Sequence, residues 1–269
     1  MKNPVGLFIV LLLAPSICAV RTITRQVGQS PSASSSSIPP NRPSRRLHRG
    51  KELVDWDKPL LRGEFHRFGA ILYAPLLGIP LYLRARAHHK LPTLLFSLAV
   101  QGIMTISATL HTFPWTCHKQ HRMARKADFA MIFVGIALFY SSIGKVLLGS
   151  DPIYSSVIEP LVWLCAVVGV ILKSFFPDAP PWLNSAVFLV QGWAVGPMIP
   201  LLFKMASTSE AVGLLLGGIF ITLGATAYSI QWPKAHWHVD TFGPHEMFHA
   251  GTLAMFLSFW YTMWLRVSR

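Results

Sequence analysis

An all-α, polytopic membrane protein folded as a seven-transmembrane helix bundle is what this sequence predicts, on three observations. Of its 269 residues, 52% are hydrophobic and 13% are charged. The mean hydropathy is +0.45, and a soluble chain of this length would need many more charged groups to cover its surface. From Phe65 onward, long apolar runs alternate with short polar loops, the pattern of helices that cross a bilayer.

The net charge of +13 and the isoelectric point near 10.1 could in a soluble protein point to nucleic acid. Here the Lys and Arg residues gather in the N-terminal tail and the loops. That placement makes the lipid bilayer the expected partner and excludes nucleic acid, because basic loops orient spans and attract anionic lipid.

Residues 1–20 place a lysine before a short apolar run that ends in small residues, the layout of a signal-like segment. Residues 21–54 are rich in Arg, Ser and Pro, and no Asp or Glu precedes Glu52. Such a stretch reads as a transit segment or as a disordered basic tail. The leader as a whole points to the secretory pathway or a plastid membrane.

The membrane domain, residues 55–269, divides into apolar windows at 68–83, 91–111, 127–148, 153–173, 183–203, 211–231 and 245–265. Each is near the ~20 residues that cross the hydrocarbon. The first is short and carries Pro75 and Pro80, which a membrane helix tolerates when neighbours satisfy the freed carbonyls. Gly213, Gly217, Gly218 and Gly224 in the sixth suit close helix packing. Trp115, Trp232, Trp237 and Trp264 read as interfacial anchors. Lys119, Arg122, Arg125 and Lys126 follow the second span, whereas the loop after the third has no Lys or Arg. The second-to-third loop and the N-terminal tail are therefore expected on the cytosolic or equivalent side. Arg84, Arg86 and Lys90 weaken that contrast, and a cleaved signal would send the tail across.

Three histidines stand where spans meet loops. His111 ends the second span, and His245 and His249 open the seventh. Positions i and i+4 share one helix face, so the last two can hold one ion, and three protein ligands leave a catalytic-type metal site open to water. With seven spans, the end of the second, the start of the third and the start of the seventh lie on one side. Ser107, His111, Asp128, His245 and His249 can then converge at one membrane depth, where ionisable groups are costly and functional. The alternative is a set of polar residues that only mark helix ends. Residues 245–249, HEMFH, also match the H-E-x-x-H pattern of zinc proteases. However, no His, Cys, Asp or Glu follows His249, so a third ligand must come from upstream. His236 and His238 read as loop residues rather than ligands.

The chain resembles the progestin and adipoQ receptor superfamily, in its haemolysin III-like branch. The resemblance rests on KPLLRGEFH at 58–66, SATLH at 107–111, Asp128 opening the third span, and GPHEMFH at 243–249. It implies a seven-helix bundle holding zinc on His111, His245 and His249, completed by a water. Asp128 would hold and deprotonate that water, and Ser107 would hydrogen-bond nearby. Arg62, Gly63 and His66 match a motif whose role the residues do not reveal, with structural support as the preferred reading. The implied activity is hydrolysis of a lipid amide or ester, ceramidase-like, on a lipid-like substrate that enters from the bilayer. Met131, Phe133 and Phe139 could line its path, with core packing as the preferred reading for each. A receptor or sensor with structural zinc, and a membrane-lytic haemolysin-like protein, are the other functions that the resemblance allows.

Overall fold

The computed structural model describes residues 59–176, 179–233 and 241–269. The leader segments 1–20 and 21–54 lie outside the described residues, as do Trp237, His236 and His238.

Seven helical runs follow one another with no strand among the described residues. The first, α1, joins Glu64–Tyr73, a π-helical turn at Ala74–Gly78 and Ile79–Arg84. Next come α2 (Ala87–Thr112), α3 (His118–Leu148), α4 (Tyr154–Phe175), α5 (Pro181–Met205) and α6 (Thr208–Ser229). The last, α7, spans Pro244–Arg266.

Among the described residues, helices α2 to α6 are the five long and apolar enough to cross a membrane by length and composition. The two terminal helices are more polar for a visible reason. Glu64, His66, Arg67 and Arg84 lie on α1, and His245, Glu246, His249 and Arg266 on α7. Six of the helices close a ring, with α1 against α2, α2 against α3, α3 against α5, α5 against α6, α6 against α7 and α7 back against α1, while α4 packs on the outside of α3.

The α6–α7 contact is the closest-packed, and it fixes the helix that carries two of the histidines. A Cβ on Gly224 would lie 3.3 Å from the Gly251 Cα, and one on Gly251 would lie 2.7 Å from the Phe220 carbonyl oxygen. Small residues let the two backbones approach where lipid supplies no hydrophobic drive. Gly218 instead faces the Trp193 ring. At the opposite end from the histidines, Glu210 closes a capping box with Ser207, its Oε2 accepting the Ser207 N–H at 2.7 Å. The same buried carboxylate lies 3.7 Å from Arg266 and 3.4 Å from Arg269, tying the start of α6 to the end of α7.

Besides α1, helices α3 and α5 break in mid-bundle, and two tyrosines meet groups at the breaks. A π-helical turn, Tyr140–Gly144, interrupts α3, and a 3-10 segment, Trp193–Met198, interrupts α5. The Tyr140 hydroxyl donates to the Gly192 carbonyl at 2.9 Å and accepts the Val195 N–H at 2.8 Å. The Tyr140 carbonyl in turn accepts the Tyr154 hydroxyl at 2.7 Å. Backbone groups freed inside a membrane need such partners, since lipid offers none.

Trp115 departs from the interfacial role expected of it. It is buried with Leu110 and Ala124, and its indole N–H donates to the Leu110 carbonyl at 2.9 Å. It pins the chain leaving α2 one residue from His111.

Candidate metal centre

The last turn of α2 presents His111, and the first turns of α7 present His245 and His249. Their ligand atoms all lie within 4.8 Å of one another, and the Nε2 atoms of His111 and His245 are 3.1 Å apart. A tetrahedral ion with bonds of about 2.0–2.1 Å to nitrogen holds its ligands roughly 3.3 Å apart. The donor set and its spacing therefore fit a metal that prefers imidazole. A buried nitrogen, Nδ1 of His249, finds no hydrogen-bond partner among the described residues. Leaving such a group unpaired costs about 1–3 kcal/mol, and buried orphans of this kind call for an explanation such as a metal.

Asp128 and Ser107 stand beside the triad rather than in it. Both line the same cavity as the three histidines, and the Ser107 hydroxyl is the polar neighbour of the Asp128 carboxyl. The group that could hold an ion contains the three imidazoles and not Asp128. The structure thus brings together all five residues singled out in the sequence and separates three ligand candidates from a carboxylate and a hydroxyl.

The segment before α1 acts as the scaffold of this centre. Arg62 pairs through Nε with the Glu246 Oε1, and the other oxygen of Glu246 accepts the Gly243 N–H at 2.9 Å, capping α7. Glu246 is fully buried and is spent on these two contacts; it is absent from the cavity wall. Gly63 holds φ at +80°, a left-handed conformation that favours glycine. A Cβ there would sit 2.6 Å from the His111 Cβ, so Gly63 also lets α1 approach the ligand. His66 stacks on His249 with ring centroids 3.9 Å apart and planes within 4°. These three contacts fit the supporting role preferred for Arg62, Gly63 and His66 from the sequence.

The cavity has a volume of about 620 Å³. Phe139 lines it, whereas Met131 and Phe133 do not and pack in the core, the reading preferred for each from the sequence. Met131 packs against Gly102 and Gly135, and the Phe133 ring fills the space beside Gly169. Tyr228, at the end of α6, is a wall residue that the sequence reading missed; its ring meets His245 edge-on at 5.5 Å. Its place at the helix end on the histidine side was the available signal.

Comparison with known proteins accords with this architecture. The profile of the family described as "Haemolysin-III related" matches residues 54–260. A protein named "Hemolysin-3 homolog" from Bacillus subtilis (strain 168) is 27% identical over 201 residues, covering 71% of this chain and 87% of the relative. "Hemolysin-3" from Bacillus cereus is 25% identical over 190 residues, covering 68% of this chain and 84% of the relative.

Proposed function

This chain belongs to the haemolysin-III related family of integral membrane proteins, and from that premise we propose that it is a zinc-dependent hydrolase of a lipid amide or ester bond, ceramidase-like in reaction class. The observation that carries the reading is three converging imidazoles at one end of a largely apolar cavity, with a carboxylate and a hydroxyl on the same wall. His111, His245 and His249 would hold the ion. When bound, zinc supplies Lewis acidity to a carbonyl and makes a water acidic near neutral pH.

The chain's own residues do the rest. An Asp128 carboxylate oxygen takes the proton of the attacking water and returns it to the departing amine or alkoxide as the C–N or C–O bond breaks. Ser107 donates its hydroxyl hydrogen to that carboxylate and holds it toward the cavity. Hydrophobic walls exclude bulk water and bind the acyl part of the substrate. Glu246 is not the base in this reading, because its oxygens are committed to Arg62 and Gly243.

The test is turnover of acyl amides and esters by purified full-length protein, with and without a chelator. Chelator-sensitive hydrolysis that Asp128→Asn abolishes is the expected result. Chelator-sensitive melting without any turnover would instead favour a receptor or sensor with structural zinc. Lysis, the activity in the relatives' names, would need a wet passage, and the apolar deep half of the cavity weighs against one.

A further inference from the structure

At the end of the bundle opposite the histidines, two distant stretches of chain meet around an excess of positive charge. The turn between α1 and α2 carries Arg84, Arg86 and Lys90, and the end of α7 carries Arg266 and Arg269. The Arg86 N–H donates to the Val267 carbonyl at 2.9 Å. The Arg84 guanidinium donates to the Trp264 carbonyl at 3.3 Å and to the Ser268 hydroxyl at 3.1 Å, and it lies 4.6 Å over the Trp264 ring. His89 has both Arg86 and Arg266 as charged neighbours.

Acids do not balance these five cations. Among the described residues, Glu210 is the one carboxylate paired with any of them, and Arg266 and Arg269 share it. Asp151 and Glu159, the other acids toward this end, are engaged by the Tyr154 N–H at 2.9 Å and by Lys145 at 3.1 Å. Arg84 and Lys90 donate to carbonyls at helix ends, Lys90 to those of Tyr82 and Leu83. Such bonds cap carbonyls but leave the positive charge in place. The exposed Arg86 side chain forms no hydrogen bond or ion pair among the described residues. Like charges gathered this way repel one another, and an anion from outside relieves the repulsion.

The cationic turn borders surface that belongs in lipid. Leu83 is 71% exposed and Leu91 64%, and the exposed Tyr82 ring lies 4.5 Å beneath the Lys90 ammonium. A soluble anion would meet the cations alone, whereas a phospholipid would also cover these side chains with its acyl chains. Arginine forks match the paired oxygens of a phosphate.

We infer that the turn from Arg84 to Lys90 and the end of α7 form a site for the phosphate of an acidic phospholipid, taken from the bilayer on the face opposite the histidines. The site stands apart from the hydrolase reading and does not depend on it. A phosphate there bridges the α1–α2 turn to the helix that carries His245 and His249. A lipid that binds only the folded chain also stabilises it.

The test is native mass spectrometry of the purified full-length protein in detergent micelles, offered equal amounts of dioleoyl phosphatidylglycerol and dioleoyl phosphatidylcholine. The acyl chains are the same, so the head group alone decides. The native chain should retain phosphatidylglycerol in preference, and its melting temperature should rise with that lipid and not with phosphatidylcholine. Each cation beside an anionic head group contributes about fivefold, so Arg86→Gln combined with Lys90→Gln should cut the preference by about 20–30-fold. Arg86→Gln alone removes no contact of the fold; it should cut the preference by about fivefold and serves where the double variant does not fold. Lys119→Gln combined with Arg122→Gln removes the same charge at the histidine end and should leave the preference unchanged. No preference in the native chain would overturn the site, as would an unchanged preference in both Arg86 variants or an equal loss in the Lys119 and Arg122 variant. A melting temperature raised as much by millimolar inorganic phosphate as by phosphatidylglycerol would overturn the lipid as its occupant.

Discussion

His66 and His249 lie face to face, their ring centroids 3.9 Å apart and their planes within 4°. Both rings are buried, and neither nitrogen of His66 has a hydrogen-bond partner among the described residues. The flat contact of His66 therefore acts on the orientation of His249 and not through a hydrogen bond. Replacing His66 with Ala should weaken metal binding by about 10–100-fold, the usual cost of losing a supporting contact to a ligand. His66→Phe keeps a flat ring against His249 and should recover most of that loss. Chelator competition measures both, and a Phe variant as weak as the Ala variant would contradict the stacking role.

The Arg62–Glu246 pair ties the chain before α1 to the first turn of α7. With Glu246 fully buried, Arg62→Ala strands a carboxylate and should destabilise the protein by about 3–5 kcal/mol. Thermal unfolding in detergent reads this as a lower melting temperature. Glu246→Gln keeps an acceptor for the Gly243 N–H and should leave turnover within about tenfold of native, whereas loss of a true general base costs about 10²–10⁴-fold. A loss of that larger size in Glu246→Gln would return the base to Glu246.

Much of this was legible in the sequence. Seven apolar windows gave seven helical runs, and the i, i+4 spacing of His245 and His249 put both rings on one face with His111 opposite. What was not legible depends on contacts between distant segments. Nothing in the spacing of His66 marks it as a stacking partner for a residue 183 positions later, and Trp115 turned inward because the end of α2 offered its indole a carbonyl. At the π-helical turn Tyr140–Gly144 the Tyr154 hydroxyl meets a carbonyl, and at the 3-10 segment Trp193–Met198 the Tyr140 hydroxyl bonds two backbone groups. A period-based reading sees only continuous helices there. Met131 and Phe133 face glycines on neighbouring helices instead of the cavity, a choice set by helix rotation rather than by residue type.

Tyr140 gives a direct stability prediction. Tyr140→Phe leaves the Gly192 carbonyl and the Val195 N–H without their partner. Each lost bond leaves a poorly solvated polar group, so the cost should be about 2–4 kcal/mol in all. Tyr154→Phe removes one bond and should cost about half as much. Reversible unfolding in mixed micelles checks the ratio, and equal costs for the two variants would contradict the double role of Tyr140.

Gly63→Ala tests the close approach of α1 to α2. The left-handed backbone and the 2.6 Å encounter with the His111 Cβ both oppose a side chain there. The variant should lose about 1–3 kcal/mol of stability and bind metal more weakly, because the displaced residue is a ligand candidate. A melting temperature and metal content equal to native would remove Gly63 from the scaffold.

The most direct test of the whole account is metal analysis of the purified full-length protein, run in parallel on native, His111→Ala and Asp128→Asn chains. The account predicts one zinc per native chain, none above background in His111→Ala, and a full complement with no turnover in Asp128→Asn. Stoichiometric zinc retained by a folded His111→Ala chain would contradict it.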